Sequence, residues 1–192
     1  MCAAAAETGG GAARAEEPRA VLQSLLDTLR EVGERRWEDP DFPPASRSLC
    51  YDWSSPRHRE KWQKLEWRRV DELASVTKSS VGHVLPSPIP EGGVRSTDIQ
   101  QGTLGDCYFL ASLSALADKH RAFTEELIVS SREALRAGVS ACRLSVDGNW
   151  VTVPISHTFP CYPWGVLAFS SAARGGLWAP LLEKAWAKLH GS

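Results

Sequence analysis

The chain has 192 residues, 43% of them apolar and 23% charged, which is the composition of a folded domain with its own core. A net charge of −1 argues against a nucleic-acid partner, because binding to phosphates requires a basic surface. No apolar run approaches the length of a membrane span. The start of the chain has no basic segment followed by an apolar core, and the five cysteines show no Cys-x-x-Cys spacing. These features predict a cytoplasmic protein with free thiols.

The first predicted elements are a disordered tail and an amphipathic helix. Residues 1–15 are rich in alanine and glycine and have too few large apolar groups to offset the entropy cost of ordering them. Residues 16–33 are predicted to form a helix that ends at Gly33. Its apolar stripe consists of Val21, Leu22, Leu25, Leu26, Leu29 and Val32. Because its polar face is as acidic as it is basic, packing on the chain's own core is favoured over contact with a partner or a membrane surface.

The rest of the chain alternates helical patterns with one clear hairpin. The predicted elements, in order, are helices over 107–119 and 123–135, strands over 142–146 and 151–155 joined by Asp147-Gly148, and a helix over 178–189. Helices dominate the first part, and a small antiparallel element follows. This order predicts an α+β domain.

The most informative segment is QGTLGDC, residues 101–107. A glycine-flanked turn leads directly into an apolar helical pattern, so Cys107 is predicted to lie at a helix N-terminus. Unpaired backbone N–H groups and the helix dipole stabilise a thiolate there, and the thiolate is the nucleophilic form of cysteine. Gln101 can turn its amide back over the sulfur, where a donor would hold the oxyanion formed during acyl transfer. The segment therefore predicts the nucleophile half of a cysteine peptidase site. The remaining cysteines are interpreted as tail or packing residues: Cys2, Cys50, Cys142 and Cys161.

This segment resembles the catalytic-cysteine segment of the calpains, intracellular calcium-dependent cysteine proteases with a papain-like core. Three further segments resemble that core in the same order: WEDPDFP at 37–43, LEWRR at 65–69 and LWAPLLEKAWAKLHG at 177–191. The resemblance implies that residues 37–192 form the first, mostly helical half of the protease core. One difference is Tyr108, since the family usually has tryptophan beside the nucleophile.

The resemblance also implies a function and a missing base. Calpains cleave intracellular proteins by limited proteolysis, and their catalytic His and Asn come from the second half of the core. The histidines here are His58, His83, His120, His157 and His190, and none lies in a stretch resembling the catalytic-His segment. His157, after the hairpin, is interpreted as a surface loop residue. We therefore expect a calpain-type endopeptidase chain that is inactive alone. The alternative is a truncated isoform or pseudo-protease that acts by binding, while a transferase or deubiquitinase is disfavoured by the calpain-like flanking segments.

A calcium site in the first half of the core is likewise implied by the resemblance. Its acidic ligands correspond to Asp98 and Glu183, with a backbone carbonyl from Gly93 and a second from Glu91. Two carboxylates, carbonyls and water suffice for a weak calcium site. The alternative is that Asp98 caps a turn while Glu183 pairs with Lys184 or Lys188. The implied partners are protein substrates and other calpain domains or subunits.

Overall fold

The computed structural model describes residues 16–50, 54–73, 87–172 and 176–191. The predicted disordered tail, residues 1–15, lies outside these residues. The α-helices of the described part are α1 (Pro18–Glu31), α2 (Pro56–Trp62), α3 (Cys107–Lys119), α4 (Arg121–Glu126), α5 (Arg132–Ala137) and α6 (Trp178–His190). The strands are β1 (Glu66–Arg69), β2 (Ile99–Gln100), β3 (Ile128–Val129), β4 (Val139–Val146), β5 (Asn149–Ser156), β6 (Thr158–Cys161) and β7 (Ser171–Ala172). Mixed helices and small antiparallel sheets confirm the predicted α+β class.

The strands form three small antiparallel sheets in the described part of the chain. β3, β4 and β5 form one sheet, β1 pairs with β6, and β2 pairs with β7. The β4–β5 hairpin closes at the predicted Asp147-Gly148 turn, and its register runs from Val139 opposite Ser156 to Val146 opposite Asn149. Both turn residues have positive φ, 49° and 78°, which the preferred two-residue hairpin turns require.

The helix predicted over 123–135 was wrong, because the structure divides this segment into α4, β3 and α5. Ile128 and Val129 instead pair with β4, where β-branched side chains pack well. The Ser131 hydroxyl then accepts a hydrogen bond from Ala134 N (3.1 Å) and starts a new helix. Sheet pairing with residues further along the chain has overridden the local helical pattern.

Helix α1 packs on the chain's own core, as the sequence favoured. It is slightly shorter than predicted: Glu17 caps it by accepting from the N–H groups of Arg19 and Ala20. Its buried face contacts α5 and β4, and the members of this cluster are Leu22, Leu26, Leu29, Trp37, Ala134, Ala137, Val139 and Ala141. Burial of each leucine side chain stabilises the fold by roughly 1.5–3 kcal/mol. None of the helices in the described ranges is long and apolar enough to cross a bilayer.

Helices α3 and α6 share the main core with the sheets. The buried side chains of this core include Leu73, Val94, Leu113, Ile155, Trp178, Leu181 and Leu182. Lys184 of α6 is also buried, and its ammonium group donates to Ser156 O (2.9 Å), Ser156 Oγ (2.9 Å) and Thr158 O (2.7 Å). Burial lowers the pKa of Lys184 to about 7. These three bonds attach α6 to the junction of β5 and β6 and so fix α6 behind the start of α3.

Candidate active site

Cys107 is the first residue of α3, and its side chain is exposed. The other cysteines that the structure describes, Cys50, Cys142 and Cys161, are buried. Asp106 is the N-cap residue, but its side chain makes no hydrogen bond to the first turn. The positive end of a 13-residue helix therefore acts on an accessible sulfur, which is the arrangement that the sequence predicted.

The turn before Cys107 is attached to the segment that leads to β7. The N–H and Oγ1 of Thr103 both donate to Ala168 O, at 3.0 and 2.9 Å. A Cβ atom at Gly102 would collide with the carbonyl groups of Ala168 and Phe169, so only glycine allows this approach. The position of the turn is therefore determined by backbone contacts to residues more than sixty positions later.

Gln101 is exposed, and its amide Nε2 donates to Leu104 O at 3.2 Å. The structure records no contact between this amide and the Cys107 sulfur. To donate to an oxyanion beside Cys107, the amide must leave the Leu104 carbonyl. Its role as an oxyanion donor remains a prediction.

Tyr108, where the calpains usually have tryptophan, is held by α6. Its ring lies edge-on to Trp186 with centroids 6.5 Å apart, and its hydroxyl oxygen accepts from Trp186 Nε1 at 3.1 Å. Trp186 also stacks on Phe109, at 5.0 Å between centroids. The side chain beside the nucleophile is therefore positioned by aromatic packing, although 60% of its surface remains exposed.

His157 was wrongly interpreted as a surface loop residue, because it is buried between β5 and β6. Its Nε2 lies 2.8 Å from Ser140 Oγ, and its backbone groups bond to Gly138 and Val70. Burial, with added repulsion from Lys184 and Arg69, lowers its pKa to about 3. A neutral imidazole in the core is a packing group, so the prediction that His157 is not the catalytic base is consistent with this position.

The other imidazoles with recorded side-chain contacts in the described part do not contact Cys107 either. His58 Nδ1 lies 3.2 Å from the Cys50 sulfur, and His190 Nδ1 bonds to Trp186 O at 2.8 Å. His83 lies outside the described residues. Within the described ranges, the thiol–imidazole contact therefore belongs to Cys50 and not to the predicted nucleophile.

Glu183 is buried beside Asp106, the residue before Cys107. Its carboxylate accepts from Ser170 N (3.2 and 3.0 Å) and from Ser170 Oγ (2.8 Å). The side chain of Asp106 has no other partner in the described part, and two carboxyl groups can share a hydrogen bond only if one is protonated. Burial and the neighbouring Asp106 together raise the pKa of Glu183 to about 8. Asp106 was not among the site residues that the sequence singled out.

The alternative pairing of Glu183 with a lysine was wrong. Lys184 bonds to Ser156 and Thr158, as described above, and Lys188 pairs with buried Asp39 at 2.8 Å. The lysines of α6 thus attach the helix to other segments of the chain, while Glu183 faces the nucleophile turn.

Asp98 and Gly93 lie on the segment that precedes β2. The Asp98 carboxylate is 3% exposed and accepts from Arg95 N at 3.2 Å, which closes the short 3-10 turn Ser96–Asp98. Gly93 has a φ of 76°. No group of three or more His, Cys, Asp or Glu side chains in the described ranges has the arrangement of a metal site. The donors that the resemblance implied are two carboxylates, both buried, and backbone carbonyls. Calcium prefers such oxygen ligands, and the calcium site itself stays a prediction.

Comparison with known proteins places these features in one family of sequences. The family model described as calpain family cysteine protease matches residues 37–192. The chain is 36% identical over 173 residues to the calpain-type cysteine protease DEK1 of Zea mays, which covers 90% of this chain and 8% of that protein. It is 35% identical to Calpain-A of Drosophila melanogaster (88% of this chain, 19% of that protein). It is also 35% identical to Calpain-10 of Macaca fascicularis (81% and 23%). The chain thus spans less than a quarter of each of these relatives.

Cys107 should react with iodoacetamide faster than the other four cysteines at neutral pH. It is the exposed thiol among the described cysteines, whereas burial raises the pKa of Cys142 to about 12 and of Cys161 to about 11. Peptide mapping over a time course measures the order of labelling, with Cys107→Ser as the control. Labelling of Cys50, the thiol beside His58, before Cys107 would contradict the assignment.

His157 should make the folded state less stable as the pH falls. Its folded-state pKa of about 3 lies below the ordinary value of 6.5, so the unfolded chain binds a proton that the folded chain excludes. The stability is present above about pH 6.5 and is lost as the pH falls towards about 3, by at most about 1.4 kcal/mol per pH unit. Urea denaturation would be carried out on wild type and His157→Gln at several pH values from 7 down to 5. The unfolding free energy of wild type minus that of the variant should become smaller as the pH falls. A constant difference would show that His157 does not titrate in this way.

Proposed function

Because this chain belongs to the calpain family of cysteine proteases, we propose that Cys107 is the nucleophile of a calpain-type endopeptidase acting on intracellular proteins. The observation that carries the proposal is an exposed sulfur on the first residue of α3, preceded by a turn that is anchored through Thr103 and Gly102. The named relatives are calpains, so the family supports the reaction class. The cytoplasm is the proposed compartment.

The proposed reaction begins with attack of the Cys107 thiolate on a peptide carbonyl carbon. Negative charge develops on the carbonyl oxygen, where the N-terminal dipole of α3 and the Gln101 amide would stabilise it, once the amide has released Leu104 O. Collapse of this intermediate breaks the C–N bond and forms a thioester, and water then hydrolyses the thioester.

The leaving amine needs a proton, and the described residues offer no donor for it at Cys107. His58, His157 and His190 contact Cys50, Ser140 and Trp186 respectively. His120 lies at the C-terminal end of α3, the opposite end from Cys107. The acid–base group of the proposed reaction must therefore lie outside the described residues. The same observation favours a second candidate function, in which this half of the core binds partners without cleaving them.

The 192-residue chain should react with thiol reagents but should not cleave a peptide substrate, with or without calcium. Without a base that also protonates the leaving amine, acylation and turnover both fail. Purified chain and Cys107→Ser would be incubated with casein, and the fragments would be quantified. Calcium-stimulated cleavage that is lost in Cys107→Ser would show that a base lies within this chain. Equal inactivity of both proteins is the expected result.

We further propose that Asp98, Glu183 and the Gly93 carbonyl hold a calcium ion. The two carboxylates are buried, 3% and 5% exposed, and each lies on a segment next to the nucleophile turn: Asp98 just before it and Glu183 beside Asp106. Calcium binding would displace the proton that Glu183 holds beside Asp106, compensate the charge of the two carboxylates and connect the segment before β2 to α6. Such a connection would make the geometry around Cys107 depend on calcium.

Millimolar calcium should raise the thermal midpoint of the chain, and Asp98→Asn combined with Glu183→Gln should abolish the increase. A ligand that binds only the folded state stabilises it by RT ln(1 + [L]/Kd). Differential scanning fluorimetry measures the thermal midpoint of each protein with and without calcium. The shift is calculated within each protein, so that a change of the calcium-free midpoint caused by the mutations is not counted as a calcium effect. Glu126→Gln, on the exposed side of α4, is the matched control. If the shift persists in the double mutant, the ion binds elsewhere.

A further inference from the structure

Two side chains of α4 hold the loop that carries Gly93. The guanidinium group of Arg121 donates to Gly92 O, and the carboxylate of Glu125 accepts from Val94 N at 3.0 Å. Arg121 Nε also donates to the same Glu125 oxygen, at 3.0 Å, so the two side chains form a single unit. We call this unit the Arg121–Glu125 pair.

The two contacts of the pair lie on either side of Gly93. One fixes the carbonyl group of the residue before it, and the other fixes the N–H group of the residue after it. Gly93 itself has a φ of 76°, and a Cβ atom there would collide with both the guanidinium and the carboxylate. The N–H group of Gly93 also donates to Pro90 O at 2.9 Å, so the orientation of the Gly93 peptide is set by its own turn together with the two contacts from α4.

The same loop continues directly into the turn that holds Asp98. Val94 is buried, 1% exposed, and Arg95 N donates to the Asp98 carboxylate at 3.2 Å. Two of the proposed calcium donors, the Gly93 carbonyl and the Asp98 carboxylate, therefore lie on the same six-residue segment. Side chains of α4 contact the start of this segment. Ordering a loop upon binding reduces affinity, so a loop that is already ordered binds more tightly.

We propose that the Arg121–Glu125 pair consists of positioning residues that pre-organise the Gly93–Asp98 segment for calcium, an inference that rests on the proposed calcium site. The pair is not itself a ligand. It acts through the backbone, by holding Gly92 O and Val94 N in one orientation, so calcium affinity depends on a helix outside the proposed coordination sphere.

The Arg121→Ala variant distinguishes two ways in which Arg121 could affect calcium affinity, by positioning the loop or by its charge. Arg121→Ala deletes a positive charge near the loop and leaves Glu125 unneutralised, so a purely electrostatic influence would make calcium bind more tightly. Positioning gives the opposite sign, because Gly92 O loses the donor that fixes it and the Gly92–Gly93 peptide is less firmly held. Glu125→Ala removes the acceptor of Val94 N, whereas Glu125→Gln keeps an oxygen acceptor at that position.

Calcium affinity of the 192-residue chain would be measured by isothermal titration calorimetry, with the calcium-free thermal midpoint recorded in parallel. We expect Arg121→Ala and Glu125→Ala to bind at least fivefold more weakly, and Glu125→Gln to recover most of the wild-type affinity. Glu126→Ala on α4 and Arg132→Ala on α5, both exposed, are the matched controls and should stay within twofold.

The outcomes separate this inference from the calcium proposal. If the wild-type chain binds no calcium, the proposed calcium site is wrong and the positioning role falls with it. If the wild-type chain binds but Arg121→Ala binds equally or more tightly, only the positioning role is overturned. If a variant has a lower thermal midpoint but an unchanged calcium affinity, the Arg121–Glu125 pair has a structural role only and the positioning role is overturned. If Arg121→Ala fails to fold, the ratio between Glu125→Gln and Glu125→Ala decides: equal affinities would exclude the role of the Val94 acceptor.

Discussion

The ammonium group of buried Lys184 connects parts of the chain that are far apart in sequence. Its three acceptors belong to the junction of β5 and β6, while β6 pairs with β1 on its other side. An ammonium group in an apolar core is costly unless every proton is donated, and here each of the three protons has an oxygen acceptor. The rings of Phe42, Trp67 and Phe159 surround the same group at 5.3–5.9 Å. The three hydrogen bonds of this ammonium group, inside a shell of aromatic rings, therefore help to fix the position and rotation of α6.

The rotation of α6 determines which side chains pack against the start of α3 beside Cys107. With Lys184 directed towards the sheet, the preceding Glu183 faces Ser170 and Asp106, and Trp186 reaches Tyr108 and Phe109. Lys188, one turn after Lys184, completes the attachment by pairing with Asp39. The start of α3 is thus supported by a carboxyl pair on one side and by aromatic rings on the other. Cys107 itself remains accessible because none of these groups covers it.

The segment before β2 is supported in a different way, through its backbone. Two of its peptide groups are held by the Arg121–Glu125 pair, whose ionic contact is partly exposed and contributes little to stability by itself. The structural value of the pair lies in the two backbone groups that it satisfies, since a buried N–H without an acceptor is costly. A surface ion pair can in this way help to specify the conformation of a loop through contacts to its backbone.

Local signals in the sequence were sufficient for the start of α3, for the β4–β5 hairpin and for α6. In each case the determining interactions lie within a few residues: the glycine turn before Cys107, the positive φ at Asp147-Gly148, and the apolar spacing from Trp178 onward. The family resemblance of the flanking segments, which the family match confirms, likewise needs only the linear sequence.

The tertiary structure decided the features that depend on partners distant in the chain. Ile128 and Val129 leave the helical pattern because β4 offers them hydrogen bonds and buried neighbours. His157 is a core residue, and its ring nitrogen lies within hydrogen-bond distance of Ser140, seventeen positions earlier. Glu183 contacts Asp106 and not a lysine, because the ammonium group of Lys184 donates its hydrogen bonds to the sheet. Spacing within a helix predicts which side chains share a face, but burial and charge on that face are determined by whichever segment folds against it.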